Sequence, residues 1–123
     1  MAKAVGVGGV FLKARDPKAL AAWHAANLGI AEQGGGSLVF EGAEAAGTTV
    51  FAQFPEDTKY FGDGAQRAMM NFRVDDLEQL LAQLAEAGVR IDPKREDCEY
   101  GKFGWIWDLE GNRVELWEVP RGA

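Results

Sequence analysis

The sequence predicts an α+β fold made of two β-α-β-β-β units. Three observations carry that prediction. The stretch Val10–Ile30, "VFLKARDPKALAAWHAANLGI", repeats as Met70–Ile91, "MNFRVDDLEQLLAQLAEAGVRI". Each copy runs from a short strand through an aspartate and a helix to a glycine, with Leu12 on Phe72, Ala14 on Val74, Asp16 on Asp76 and Leu20 on Leu80. Each copy is followed by strand-rich sequence broken at glycines.

The elements follow in order. The first strand precedes Asp16, which can cap a helix that has Pro17 at its first position. Leu20, Trp23 and Leu28 form an apolar stripe on that helix, and Gly29 supplies its left-handed end. "GSLVFEG" and "GTTVFAQF" are the strands that close the first unit. The connecting segment, about 56–68, has loop composition, with Tyr60 and Phe61 expected to pack on something; a lid and a dimer contact are both open for it. In the second unit Asp76 caps a helix striped with Leu77, Leu80, Leu81 and Leu84, and Gly88 ends it. "GVRIDP", "GWIWD" and "GNRVELWEV" are its later strands, with Asp108 and Gly111 at the first and fourth positions of a turn. The expected organisation is one domain over 1–123, with unit one at about 1–55 and unit two at about 69–123.

Composition narrows the function. The chain has 123 residues, 47% hydrophobic and 26% charged, with a net charge of -6. Its acidity argues against a nucleic-acid partner, whose phosphates need a basic patch. No apolar run approaches the roughly 20 residues of a membrane span. The single cysteine, Cys98, lies between two acids and reads as a free thiol; with no disulfide available, a cytoplasmic location is expected.

One β-α-β-β-β unit covers one sheet face with its helix and leaves the other bare. Two such units can form a curved mixed sheet around a cavity, helices outside, the cavity lined by the bare face. Alternation assigns Val10, Leu12, Ala14, Met70, Phe72, Val74, Val114 and Leu116 to the helix side. The bare face then holds Gly9, Phe11, Lys13, Phe51, Gln53, Met69, Asn71, Arg73, Arg113, Glu115 and Trp117. Phe103, Trp105 and Trp107 share a strand face. These aromatic and polar groups fit a ligand pocket, and they also fit a solvated face on which Glu115 pairs with Arg73 or Lys13. His24, the only histidine, reads as a core residue hydrogen-bonded to something, with a chemical role as the alternative.

The duplicated unit, and above all "FGWIWDLEGNRVELWE" at 103–118, resembles the vicinal oxygen chelate superfamily, which holds glyoxalase I, extradiol dioxygenases, fosfomycin-resistance enzymes and metal-free bleomycin-binding proteins. The resemblance implies a metal ligand at Glu115, with the other ligand positions at Gly9, Phe51 and Met69. None of those three side chains suits the hard or borderline metals of that superfamily. The expectation is therefore a small-molecule-binding, glyoxalase/bleomycin-resistance-like protein without a complete metal site and without a cofactor. Its ligand would meet Phe11, Lys13, Phe51, Gln53, Met69, Asn71, Arg73, Trp105, Trp107, Arg113 and Trp117, with Glu115 as acceptor or base. The alternative is a metal-dependent lyase, isomerase or dioxygenase in which Glu115 holds a divalent ion. The resemblance also implies a homodimer.

Overall fold

The computed structural model describes residues 1–28, 30–34, 36–39 and 49–120. The elements run β1 (Ala4–Ala14), α1 (Pro17–Leu28), β2 (Ala31–Gly34), β3 (Ser37–Val39), β4 (Val50–Pro55), β5 (Ala68–Val74), α2 (Leu77–Glu86), β6 (Ile91–Cys98), β7 (Gly101–Trp107) and β8 (Arg113–Glu118). The α+β class and the two β-α-β-β-β units are as the repeat predicts. The chain divides into two compact units, an N-terminal one, Gly8–Met69, and a C-terminal one, Met70–Ala123 together with Met1–Val7.

In the C-terminal unit the strand order is β5-β8-β7-β6. β5 and β8 run parallel, and β8-β7 and β7-β6 are antiparallel. Asp76 caps α2 by accepting the Gln79 backbone N–H at 3.1 Å. Gly88, with φ +82, ends it in a conformation that suits glycine. The buried layer beneath α2 is Val74, Leu77, Leu81, Val114 and Leu116, with Phe72, Leu80, Leu84, Ile91 and Ile106 packed against it. Fully burying each such side chain is worth about 1.5–3 kcal/mol, so this layer is the unit's main stabilising term. The N-terminal segment is tied to the same unit: Ala2 exchanges backbone–side-chain hydrogen bonds with Gln83, and the Lys3 N–H donates to Asp75 at 2.9 Å. The Lys3 N–H is the first of the backbone N–H groups that hold the Asp75 carboxyl below its usual range, followed by those of Asp75 and Asp76.

The β7–β8 turn is built as the sequence suggests. Asp108 accepts from the Glu110 and Asn112 N–H groups, each at 2.9 Å, and Gly111 has φ +83. The Asn112 bonds are the leading cause of a lowered Asp108 carboxyl pKa.

In the N-terminal unit the order is β2-β3-β4-β1, with β1 and β4 parallel. Asp16 caps α1 through the Ala19 N–H at 3.1 Å; the Gly29 terminus lies outside the described residues. Two expectations are corrected here. The α1 stripe does not bury Trp23 and Leu28, which are 55% and 62% exposed; the helix seats on Ala21, which is fully buried. An alanine-rich helix can approach its sheet through a methyl group and leave larger neighbours outside.

The second correction concerns β4. Its register with β1 sets Val10 beside Phe51, Phe11 beside Ala52, Leu12 beside Gln53 and Lys13 beside Phe54. Partners in a parallel pair share a face. Phe51 and Gln53 therefore lie on the helix side, not on the bare face, and the Phe51 ring meets His24 of α1 at 4.8 Å between centroids. A slip of one residue inverts a whole strand, as it does here.

Candidate functional site

The bare face of the C-terminal unit gathers most of the expected site. The β5–β8 and β7–β8 registers set Asn71, Glu115 and Trp105 in one row across three strands. Asn71 Nδ2 donates to Glu115 Oε1 at 2.6 Å, and Trp105 Nε1 donates to Glu115 Oε2 at 2.9 Å. All three side chains are at least 98% buried. Each carboxylate oxygen thus faces a dedicated N–H donor, which compensates part of the cost of taking the charge out of water. Asn71 Oδ1 is buried with no hydrogen-bond partner among the described residues. The row therefore presents a spare acceptor beside the carboxylate.

The neighbouring rows frame this one. Arg73, Trp117 and Phe103 form the row on one side. Trp117 stacks on Phe103 with centroids 5.9 Å apart and rings 6° from parallel, and its Nε1 donates to the Tyr100 carbonyl at 2.7 Å. Arg73 donates to the Val7 carbonyl at 2.7 Å. Gly6 leaves the guanidinium its space, since a Cβ there would run into it. On the other side Trp107 pairs in register with Arg113. Arg113 is buried and held by Asp92 at 2.7 Å, and this bond is the first cause of a lowered Asp92 pKa. Cations lie over the indoles: Arg113 is 5.0 Å from the Trp105 centroid, Lys94 is 5.1 Å from it, and Arg90 is 3.7 Å from that of Trp107.

Asp92, Lys94 and Arg90 were missed from the sequence. Their signal was partial: Asp92 and Lys94 are two apart on β6, and Arg90 lies just before it, but the register of β6 with β7 shifts between Ile91 and Arg95. The sequence pairs Glu115 with Arg73 or Lys13 and offers Asn71 and Trp105 only as ligand contacts. The structure joins both to the carboxylate itself.

The N-terminal unit treats its bare face differently. Phe11 meets Phe54 at 5.3 Å, Tyr60 stacks on Phe54 at 5.3 Å, and Phe61 packs edgewise on it and is 1% exposed. The 56–68 segment thus lays two rings over its own unit. Lys13 has its ammonium 5.6 Å from the Phe61 ring, and Met69 is 1% exposed. Phe54, Tyr60 and Phe61 are additions to the expected set. On the helix side, Gln53 is 3% exposed with neither amide atom hydrogen-bonded, and His24 Nδ1 is likewise buried without a partner among the described residues. The His24 ring makes contacts with Phe51 and Trp23.

The fold and the family match over residues 9–117 place the chain in the vicinal oxygen chelate superfamily. Within it, the chain belongs to the glyoxalase-like domain family, whose sequence model matches residues 9–117. Solved structures share the fold. Methylmalonyl-CoA epimerase from Mycobacterium tuberculosis is 18% identical, with 95% of this chain and 89% of that one covered and a TM-score of 0.69. A methylmalonyl-CoA epimerase in complex with methylmalonyl-CoA and NH4+ is 15% identical, with 97% of each chain covered and a TM-score of 0.73. A hypothetical protein from Bacillus halodurans C-125 is 13% identical, with 99% and 97% covered and a TM-score of 0.68. No curated protein sequence matches the chain significantly. No described helix is long and apolar enough to cross a membrane.

Among the described residues no group of three or more His, Cys, Asp or Glu side chains could hold a metal ion. The β1–β4 register also moves the counterpart of Glu115 from Phe51 to Ala52, since Phe11 pairs with Ala52 as Asn71 pairs with Glu115. A methyl group is no better a ligand than a phenyl ring. Of the four ligand positions that the resemblance implies, only Glu115 carries a side chain that suits a hard or borderline divalent metal.

Proposed function

We propose that this chain binds a flat small molecule on the bare face of its C-terminal unit, with Glu115 as the oriented acceptor and without a resident divalent metal. The observation that carries the reading is the Asn71–Glu115–Trp105 row. A buried carboxylate with an N–H donor on each oxygen is fixed in position, and Asn71 Oδ1 beside it, without a partner among the described residues, calls for an N–H or O–H donor. Trp107, Trp117 and Phe103 supply the flat apolar surroundings, and Arg73 and Arg113 supply positive charge. The epimerase neighbours, one of them holding methylmalonyl-CoA, support a small-molecule site; at about 15% identity their ester is not carried over. The homodimer implied by the family is part of the same proposal and is read by analytical ultracentrifugation.

The first measurement is elemental analysis of untagged protein purified without chelators. No metal, even after incubation with zinc, nickel, manganese and iron salts, is the expected result. A stoichiometric divalent ion would overturn the ligand assignment and put the metal-dependent lyase, isomerase or dioxygenase reading first. A thermal-shift screen of flat molecules bearing N–H or O–H donors follows. Hits should lose their shift in Glu115→Gln; a screen with no hit that depends on Glu115 sinks the binding reading.

A further inference from the structure

We propose that the N-terminal unit carries a second binding site, for a planar organic anion, in an open groove beside the first turns of α1. The groove holds about 950 Å³, within the range of small-molecule sites. None of the Glu115 row lines it. Three cationic side chains converge there, Lys13 from β1, Arg15 from the β1–α1 link and Arg67 from just before β5. None of the three is ion-paired among the described residues, where the ion pairs are Arg95–Glu78 and Arg113–Asp92. In a chain of net charge -6 that is a local reversal of sign. Two carboxylates also line the groove, Glu56 and Asp16, the latter engaged as the α1 cap, so the three cations leave its lining net positive.

Trp23 and Leu20 form the apolar wall. Trp23 is 55% exposed, yet its ring is steadied by His24, with centroids 5.5 Å apart and planes at 88°. A large indole held in place but left in solvent, next to guanidinium groups that form no ion pair among the described residues, suits a ligand that has both a ring and a negative charge. The ring covers the indole, and the anion takes the forked N–H donors of arginine. A phosphate and a carboxylate share that chemistry.

The test is an NMR amide-shift titration of the full chain with four probes. Adenosine 5′-monophosphate and 2-naphthoate carry ring and charge, adenosine carries the ring alone, and inorganic phosphate carries the charge alone. Saturable shifts confined to residues about 13–23, 56 and 67, with either ringed anion and with neither control, support the proposal; whichever anion binds identifies the headgroup. The Arg15→Glu/Arg67→Glu double variant, whose two sites are exposed, should weaken that binding at least about tenfold through lost charge-assisted contacts. Trp23→Ala should weaken it too, while Glu115→Gln leaves it unchanged. No saturable shift with either ringed anion overturns the site. Phosphate binding as well as the ringed anions overturns the role of Trp23, and undiminished binding in the folded double variant overturns the role of the cations.

Discussion

Replacing Glu115 by leucine and by glutamine separates what its charge does from what its shape does. Leucine removes both acceptors and takes from the buried Asn71 Nδ2 and Trp105 Nε1 the bonds they make to the carboxylate. An orphaned buried donor costs about 1–3 kcal/mol, so two cost about 2–6 kcal/mol, a large share of the roughly 5–15 kcal/mol that holds a domain folded. Glutamine keeps the shape. Its oxygen can accept from Trp105, and its NH2 can face Asn71 if that amide turns to offer Oδ1, the atom that now has no partner. The loss is then the exchange of two charge-assisted bonds for neutral ones, about 2 kcal/mol in all. Urea unfolding followed by far-UV circular dichroism should therefore rank wild type above Glu115→Gln, and that variant above Glu115→Leu, at an unchanged denaturant slope. Adding Asn71→Leu to Glu115→Leu should return part of the loss, because one orphan donor goes with it. A Glu115→Leu variant as stable as wild type would refute the reasoning, showing that burying the carboxylate costs as much as its bonds return.

Other perturbations probe the frame. Gln53→Leu should stabilise the chain by about 1–3 kcal/mol, since it removes an unpaired buried amide; a lower thermal midpoint would mean that the amide has a partner, such as an ordered water. Gly111→Ala should cost about 1 kcal/mol from its positive φ alone, because a Cβ there meets nothing within 4 Å, and urea unfolding reads it directly. Asp92 has a folded pKa depressed by Arg113, so its contribution is present above its unfolded value and is lost as pH falls through the lower folded value. The stability gap between wild type and Asp92→Asn should thus hold from neutral pH down to about 4 and narrow below that, and a gap independent of pH would remove the ion pair from the account.

Much of this was legible in the sequence, for reasons that also explain the failures. The two aspartate caps, the leucine stripe of α2 and the turn at Asp108 are local devices, readable from a few residues. The faces of β5 and β8 were readable because polar and apolar residues alternate there: Asn71, Arg73, Glu115 against Phe72, Val74, Leu116. β4 lacks that contrast. Phe51, Ala52 and Phe54 are apolar on both faces, and the one polar residue, Gln53, points into the helix side, so alternation could not set the phase. The α1 stripe misled because ridge size does not reveal that Ala21 makes the closest approach. The bond from Trp105 to Glu115 joins residues ten apart across a hairpin, and it follows only once the β7–β8 register is known.

The Asn71–Glu115–Trp105 row has a meaning for assembly as well as for recognition. Its three members come from β5, β8 and β7, one parallel junction and one antiparallel. Shift β8 by a single residue against either neighbour and Glu115 turns into the layer of Leu77 and Leu81, its two donors abandoned on the opposite face. An aliphatic pair tolerates such sliding far better than a carboxylate does. The row thus works as a latch that accepts one alignment of three strands and penalises the adjacent ones. Any ligand that reads Glu115 also reads whether the sheet has closed in register.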